Sequence, residues 1–463
     1  SIFREVVLSS YLPLIRVAEI MASKYDVVVT NPPYMGSSGM SAKLNEFVKA
    51  YYPNSKSDMS TVCMEKTLRM CKPLGYMAMI NIPVWMFISS YETLRNSLFD
   101  KNNLVSMVHP GRGIFGSDFG TTTFVFQNSY ISGYAGTYRR LFDSQGEVKS
   151  NEEREAAFLS GKGSYIASQV NFTRIPGRPI AYWVSNQFMT MFEKGRLLGQ
   201  IADSKQGLAT ADNDRFLRVW YEVDQNKVEY GAHDCSEAEG SHKKWFPYNK
   251  GGEFRKWYGN NDFIVNWEND GFEIRHFFDK NGKLRSRPQN TNFYFRESGS
   301  WSLVSSSVAA FRYKPHGHIF DVAGMSFFSN SHLKYLLALC NTNVVMKVLA
   351  VIAPTINYQC GDIANIPVIS DDSMRTVIET IADENIAISK SDWDAFETSW
   401  DFVHHPVVPL TRERKEQEAS QFSSLRMEKF GRISWHFEKW QQECDARFSQ
   451  LKANEEDLNR IFF

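Results

Sequence analysis

The residues best suited to chemistry are Asn31-Pro32-Pro33-Tyr34, which follow directly on the apolar run Asp26-Val27-Val28-Val29-Thr30. That run reads as a buried strand, and the loop after it falls at a strand's carboxyl end, where open α/β sheets bind ligands. The Asn31 side-chain oxygen and the Pro32 main-chain carbonyl are two hydrogen-bond acceptors held close together. Such a pair suits a conjugated exocyclic amine such as adenine N6, whose lone pair is delocalised into the ring. Acceptors fixed on its protons stabilise the pyramidal, charge-bearing nitrogen of a transition state. Two prolines fix φ, so the acceptors are organised in advance. Tyr34 adds a flat face for a base turned out of its stack. Taken bare, the tetrapeptide is also an ordinary turn; the strand before it and the sheet-like segments after it favour the chemical reading.

The surrounding elements agree with that position. Tyr25 to Thr30, Gly75 to Ile80, Leu104 to Val108 and Thr122 to Phe126 read as strands, with a helix over Glu92 to Asp100. Strands alternating with helices predict βαβ units and a mostly parallel sheet over residues 1–145. The passage 146–200, opening on Ser144-Gln145-Gly146 and containing Ser160-Gly161-Lys162-Gly163, reads as a connection between domains. Residues 201–370, rich in aromatics and turn residues, read as an α+β domain. Within it a helix over Leu333 to Val351 stops before Ala353-Pro354. Residues 371–463 turn helical and charged, with Phe422, Leu425, Met427, Phe430, Ile433, Trp435, Phe437 and Trp440 forming the packed face of an amphipathic helix.

Composition excludes more than it selects. With 463 residues, 43% of them hydrophobic and 22% charged, the chain fits two or three globular units rather than a disordered tail. The formal net charge of zero lends nucleic-acid binding no global support, so any such surface must be local. Cys63, Cys71, Cys235, Cys340, Cys360 and Cys444 show no metal-ligand spacing, which argues against a structural zinc or a disulfide framework. No signal peptide and no membrane-length apolar run is apparent, and the expected location is the cytoplasm, with no membrane partner. His404-His405 before Pro406 reads as a polar turn, and His109 receives no role.

In the order Asn31-Pro32-Pro33-Tyr34, then Leu68 to Pro83, then Gly113-Ile114-Phe115 with Phe119 to Phe126, the sequence resembles the gamma-type N6-adenine DNA methyltransferases. The stretches Lys205 to Asn213, Trp245 to Tyr258 and Pro354 to Pro367 are similar to the PglX methyltransferase family of BREX phage-defence systems. The resemblance implies a partial Rossmann-like α/β methyltransferase domain, an α+β target-recognition domain and a helical C-terminal segment. It implies S-adenosylmethionine as methyl donor, no metal, double-stranded DNA as partner in a bacterial, nucleoid-associated setting, and other phage-defence proteins as further partners. It also makes Phe115 the contact to the flipped base. The chain departs from the family in one respect: residues 1–24 contain no glycine, so the glycine-containing turn and acidic residue that hold the donor have no counterpart. The chain opens on Ser1-Ile2-Phe3 and reaches the tetrapeptide soon after, so the expectation is a shortened N-terminus and an incomplete donor site.

For DNA contact, Lys and Arg outnumber Asp and Glu between Lys243 and Arg296. Lys250, Arg255 and Lys256, beside glycines and aromatics, are the candidate backbone-gripping residues. Arg112 and Lys56 are placed in loops beside the pocket, where they would steady phosphates. Three other readings remain. The chain is a catalytically incomplete DNA-binding or scaffold fragment of such an enzyme; it combines methylation with cleavage, although no Pro-Asp…Glu-x-Lys pattern is found; or it methylates protein or RNA.

Overall fold

The computed structural model describes residues 4–5, 7–115, 120–143, 147–305, 308–354, 356–408 and 433–463. The chain divides into two compact units, Ser1–Lys194 with Val351–Pro354, and Gly195–Ala350 with Thr355–Phe463.

The first unit contains helices α1 (Leu12–Ala22), α2 (Ala42–Tyr51), α3 (Met59–Met70) and α4 (Glu92–Phe99), and later α5 (Asn151–Leu159) and α6 (Asn186–Lys194). Its six strands are β1 (Tyr25–Thr30), β2 (Cys71–Asn81), β3 (Asn103–Arg112), β4 (Gly120–Gln127), β5 (Ala135–Arg140) and β6 (Ser164–Ser168), in the order β1-β2-β4-β3-β5-β6. The four strands read from the sequence are present, but the sheet is not mostly parallel. β4 inserts antiparallel between β2 and β3, and β6 is antiparallel to β5, leaving β1–β2 and β3–β5 as the parallel pairs. The short return from β3 into β4 permits a hairpin, which a parallel crossover with its intervening helix does not.

Caps at the helix starts explain where the chain turns. Asp58 accepts the Ser60 amide at 2.8 Å to open α3, and Ser41 accepts the Leu44 amide at 3.3 Å to open α2. A reciprocal Ser150–Glu153 capping box starts α5.

Residues 146–200 are not a connection. Through Lys194 they complete the first unit, and Ser144-Gln145-Gly146 lie outside the described residues. Their polar composition conceals how they are bound. Buried Gln169 donates to the carbonyls of Phe99 (2.9 Å) and Asn102 (3.0 Å) and accepts the Leu104 amide (3.1 Å). Tyr182 stacks on Tyr138 at 4.7 Å. The core beneath the sheet joins Met77, Met79, Trp85, Leu94, Met107, Phe124, Phe126 and Tyr138.

The second unit has strands β7 (Arg196–Leu197), β8 (Asp203–Lys205), β9 (Leu217–Val219), β10 (Trp245–Asn249), β11 (Phe263–Asn266), β12 (Ser298–Ser302), β13 (Phe311–Lys314), β14 (Ile319–Phe320), β15 (Gly324–Phe328) and β16 (Pro367–Val368). They form two four-stranded sheets, β14-β10-β11-β9 and β13-β12-β15-β8, and a β16-β7 pair. Helices α7 (Leu333–Cys340) and α8 (Asn343–Ile352) replace the single helix expected from Leu333 to Val351 and are bent by 74°. The break has a polar cause. Asn341 spends its side-chain amide on both backbone groups of Phe311 (3.1 and 3.0 Å), and Thr342 starts the next helix by accepting the Val345 amide. Among the described residues no single helix is long and apolar enough to cross a membrane.

Helices α9 (Arg375–Trp393) and α10 (Ile433–Ile461) group with this second unit rather than standing apart. They are joined by buried Asn454, which donates to Asn385 at 3.0 Å. Of the expected aromatic stripe, Phe422, Leu425, Met427 and Phe430 lie outside the described residues.

In the first unit, buried Arg95 donates to the carbonyls of Trp85 (2.9 Å), Ile88 (2.9 Å) and Gly177 (2.8 Å). Arg95→Ala strands the buried Trp85 carbonyl and the half-buried Ile88 and Gly177 carbonyls, and each buried group left unpaired costs about 1–3 kcal/mol. Urea denaturation is expected to show a loss of roughly 3 kcal/mol or more; a change under about 1 kcal/mol would contradict this.

Candidate active site

Tracing the strand directions locates the site. β1, β2, β3 and β5 run the same way, with β4 and β6 reversed. The carboxyl ends of β1, β2 and β3, namely Asn31, Asn81 and Arg112, therefore lie along one edge of the sheet.

At that edge Pro32 is buried while Asn31 and Pro33 are exposed. The Tyr34 hydroxyl lies 2.9 Å from Asn31 Oδ1 and 3.2 Å from the Ile80 carbonyl. Burial raises the Tyr34 pKa, so the hydroxyl stays a donor. With a single proton it ties the Asn31 side chain to the end of β2 and still leaves Asn31 Oδ1 a second lone pair. Tyr34 remains 37% exposed, which leaves surface for a stacking partner. The Ile80 carbonyl is a member of this arrangement that sequence reasoning missed. Only the strand register, with Thr30 opposite Met79, brings it to the loop.

The loop is fixed on its far side as well. The Met35 carbonyl accepts the Met59 amide at 3.0 Å, the Ser37 amide donates to the Ser57 carbonyl at 3.0 Å, and Gly36 bridges Asp58. This brings the turn carrying exposed Lys56 against the residues that follow Tyr34. Lys56 is thus close in the fold to the tetrapeptide's loop.

Arg112 and Phe115 belong to the same sheet edge but not to the same corner. β2 and β4 intervene between β1 and β3, a backbone separation of roughly 14 Å at ordinary strand spacing. Arg154 of α5 fixes the end of β3, donating to the carbonyls of Pro110 (3.1 Å) and Arg112. Phe115 is 66% exposed and takes no part in the core; Phe119 lies outside the described residues. His109 is buried against Phe142, and burial together with Arg140 pushes its pKa down to about 3, so it stays neutral.

Beside Asn31 one face of the sheet is open. The register aligns Val29, Ala78, Val125 and Ser106 across four strands, and Ile80, Thr123 and Val108 in the next row. These residues, with Thr30 and Asn31, line a cleft of about 720 Å³. Val27 and Val29 are 57% and 70% exposed. The apolar run read as a buried strand is therefore half-buried on the Val28 face and exposed on the other.

Each of the three loop cations Lys250, Arg255 and Lys256 pairs with a carboxylate of its own unit. Lys250 pairs with buried Asp321 at 3.3 Å. Arg255 pairs with Asp392 of α9 and lies 5.0 Å over Trp393. Lys256 pairs with Glu455 of α10 at 3.0 Å, and Trp257 donates to the same carboxylate at 2.8 Å. Arg255 and Lys256 thus attach the C-terminal helices to the rest of the second unit, whereas Lys250 pairs within its sheet region. Buried Arg312 supports the same loop from below by donating to the Arg255 carbonyl at 3.1 Å.

Residues 9–115 match the Eco57I restriction-modification methylase family model. Over 97% of its length the chain is 38% identical to the adenine-specific methyltransferase PglX of Lacticaseibacillus casei (strain Zhang), of which it covers 37%. It is 35% identical, again over 97% of its length, to the adenine-specific methyltransferase BrxX of Escherichia coli O9:H4 (strain HS), of which it covers 34%. The chain is thus related to adenine-specific methyltransferases and spans little more than a third of these relatives. The fold is like that of the Type IIL restriction-modification enzyme MmeI, solved in complex with DNA, with a TM-score of 0.53 over 94% of this chain and 57% of that one at 10% identity.

Lys256→Ala is expected to lower stability by about 1 kcal/mol, read as a lower Tm, because a partly buried ion pair is removed. Its DNA affinity should stay within about two-fold of the unaltered chain. A large loss of affinity at unchanged Tm would return Lys256 to the role of a phosphate contact.

Proposed function

We propose that this chain carries the adenine-binding edge and the DNA-recognition part of a site-specific DNA adenine N6-methyltransferase of a phage-defence or restriction-modification system. The observation that carries this is the Asn31–Tyr34–Ile80 arrangement at a sheet edge, beside an apolar cleft. Asn31 Oδ1 and the Pro32 carbonyl would accept the two N6 protons of an extruded adenine, and the partly exposed Tyr34 ring would stack on it. As nitrogen becomes tetrahedral, these fixed acceptors stabilise the positive charge it gains, and the proton then passes to solvent. No strong base is required, in keeping with a neutral His109.

S-adenosylmethionine is the methyl donor that the relationship implies, and it supplies an electrophilic methyl group. The residues lining the cleft match only part of it. Val29, Ala78, Ile80, Val108 and Val125 suit apolar contact and Thr30, Asn31, Ser106 and Thr123 offer hydrogen bonds, but none of the lining residues is charged, so no ion pair there meets the donor's ammonium or carboxylate. The open sheet face favours a second reading, that the chain alone is a catalytically incomplete DNA-binding or scaffold piece. Titration calorimetry with S-adenosylmethionine separates the two: heat of binding with this chain supports the first, and none supports the second.

Asn31→Ala in the intact enzyme is expected to cut transfer of a tritiated methyl group to duplex DNA by about 3–4 kcal/mol of transition-state stabilisation, by analogy with loss of an oxyanion-hole donor. DNA affinity should be nearly unchanged. Undiminished transfer would show that Asn31 does not do this work.

A further inference from the structure

The second unit carries further exposed cations on a turn within the basic Lys243 to Arg296 passage. Between Phe277 and Arg285 the chain doubles back, with Phe278 and Leu284 opposed across an antiparallel bridge. The Asp279 amide donates to the Lys283 carbonyl at 2.8 Å, and the Arg285 amide to the Phe277 carbonyl at 2.8 Å. At the tip the Asp279 carboxylate accepts the amides of Asn281 (2.8 Å) and Lys283 (2.9 Å), and Gly282 turns the chain at a φ of 75°. The root is firm: Ser286 is buried, and Arg287 exchanges both backbone hydrogen bonds with Ala209 at 2.8 and 3.0 Å.

On this stiff ribbon Lys280, Lys283, Arg285 and Arg287 are all exposed. Among the described residues none of the four makes an ion pair, in contrast to Lys250, Arg255 and Lys256. Asp279 is the one carboxylate between His276 and Arg287, and its oxygens serve the tip's own amides, with Lys283 and Arg285 also helping to hold its pKa low. The nearby acids are engaged, Glu273 with Arg215 at 3.6 Å and Asp270 with Arg275 at 3.1 Å. Exposed apolar surface flanks the charge: Phe278 is 50% and Phe272 58% exposed, and Phe272 lies 4.2 Å from the His276 ring. Four like charges on one short projection repel each other, and a row of phosphates relieves that repulsion while releasing its own counterions. A two-stranded ribbon also has the width that the major groove admits.

We propose that the Phe277–Arg287 hairpin grips the phosphate backbone of duplex DNA through Lys280, Lys283, Arg285 and Arg287. This rests on the reading of the chain as part of a DNA methyltransferase and names the surface that holds the substrate. The test is fluorescence anisotropy of a labelled duplex with the 463-residue chain, across a series of salt concentrations. The hairpin variant replaces Lys280, Lys283, Arg285 and Arg287 with Gln. A control variant replaces the dispersed, exposed Lys194, Lys227, Lys347 and Lys452 with Gln. All four hairpin residues are exposed and none is in the core, although the Arg285 guanidinium lies 4.5 Å over the Phe277 ring, so circular dichroism should be unchanged. The hairpin variant is expected to bind at least about ten-fold more weakly, and its slope of log Kd against log salt should fall by roughly three to four, near 0.9 for each phosphate no longer neutralised. The control should stay within about two-fold. Equal affinity and slope in the hairpin variant, or an equal weakening in the control, would overturn the proposal while leaving the methyltransferase reading intact. Failure of the unaltered chain to bind duplex DNA would overturn both.

Discussion

Tyr34 shares one hydroxyl proton between the Asn31 side chain and the Ile80 carbonyl near the end of β2, and the strand pairing of the first unit maintains the spacing that makes this sharing possible. The parallel register of β1 on β2 sets the height of the loop, and Asn31 follows immediately after Thr30, which is opposite Met79. Two prolines remove backbone freedom between Asn31 and Tyr34. The segment from Ser55 to Met59 then binds the loop's exit, so Asn31 is constrained from three directions. Preorganisation of this kind is what electrostatic stabilisation of a developing charge requires, because acceptors that must be gathered at each turnover lose their advantage.

Much of the first unit is legible in the sequence because its signals are local. The Val27-Val28-Val29 run, the Met77 to Ile80 run and the strand-end position of Asn31 depend on residues near one another in the chain. What escapes depends on partners far away. β4 enters between β2 and β3, so three of the five strand pairings are antiparallel, and no periodicity within a strand reveals the direction of its neighbour. The polar passage after residue 146 reads as a linker because Gln169 and Arg154 are satisfied by carbonyls more than forty positions away. A side chain of that type signals a loop unless its distant partners are known.

The same distinction separates the two sets of cations in the second unit. Lys250, Arg255 and Lys256 resemble a ligand-gripping cluster in sequence, yet their carboxylates arrive from Asp321, Asp392 and Glu455. Lys280, Lys283, Arg285 and Arg287 draw less notice in sequence, although Asp279-Lys280-Asn281-Gly282-Lys283 is a legible turn between aromatic residues. A cation that the fold leaves unpaired reaches a phosphate without first giving up a carboxylate. The open face of β1 follows a related rule. An uninterrupted valine run is the composition of a strand covered on both sides, and here Val27 and Val29 remain exposed.

The proposed mechanism rests on Asn31 and Pro32 receiving the amine of a target adenine at this sheet edge. It is tested most directly by the structure of the intact enzyme bound to duplex DNA containing its methylation site. An adenine extruded and stacked on Tyr34 is expected, with N6 within about 3.2 Å of both Asn31 Oδ1 and the Pro32 carbonyl. An adenine seated elsewhere, with the Asn31–Tyr34 loop untouched, would contradict it.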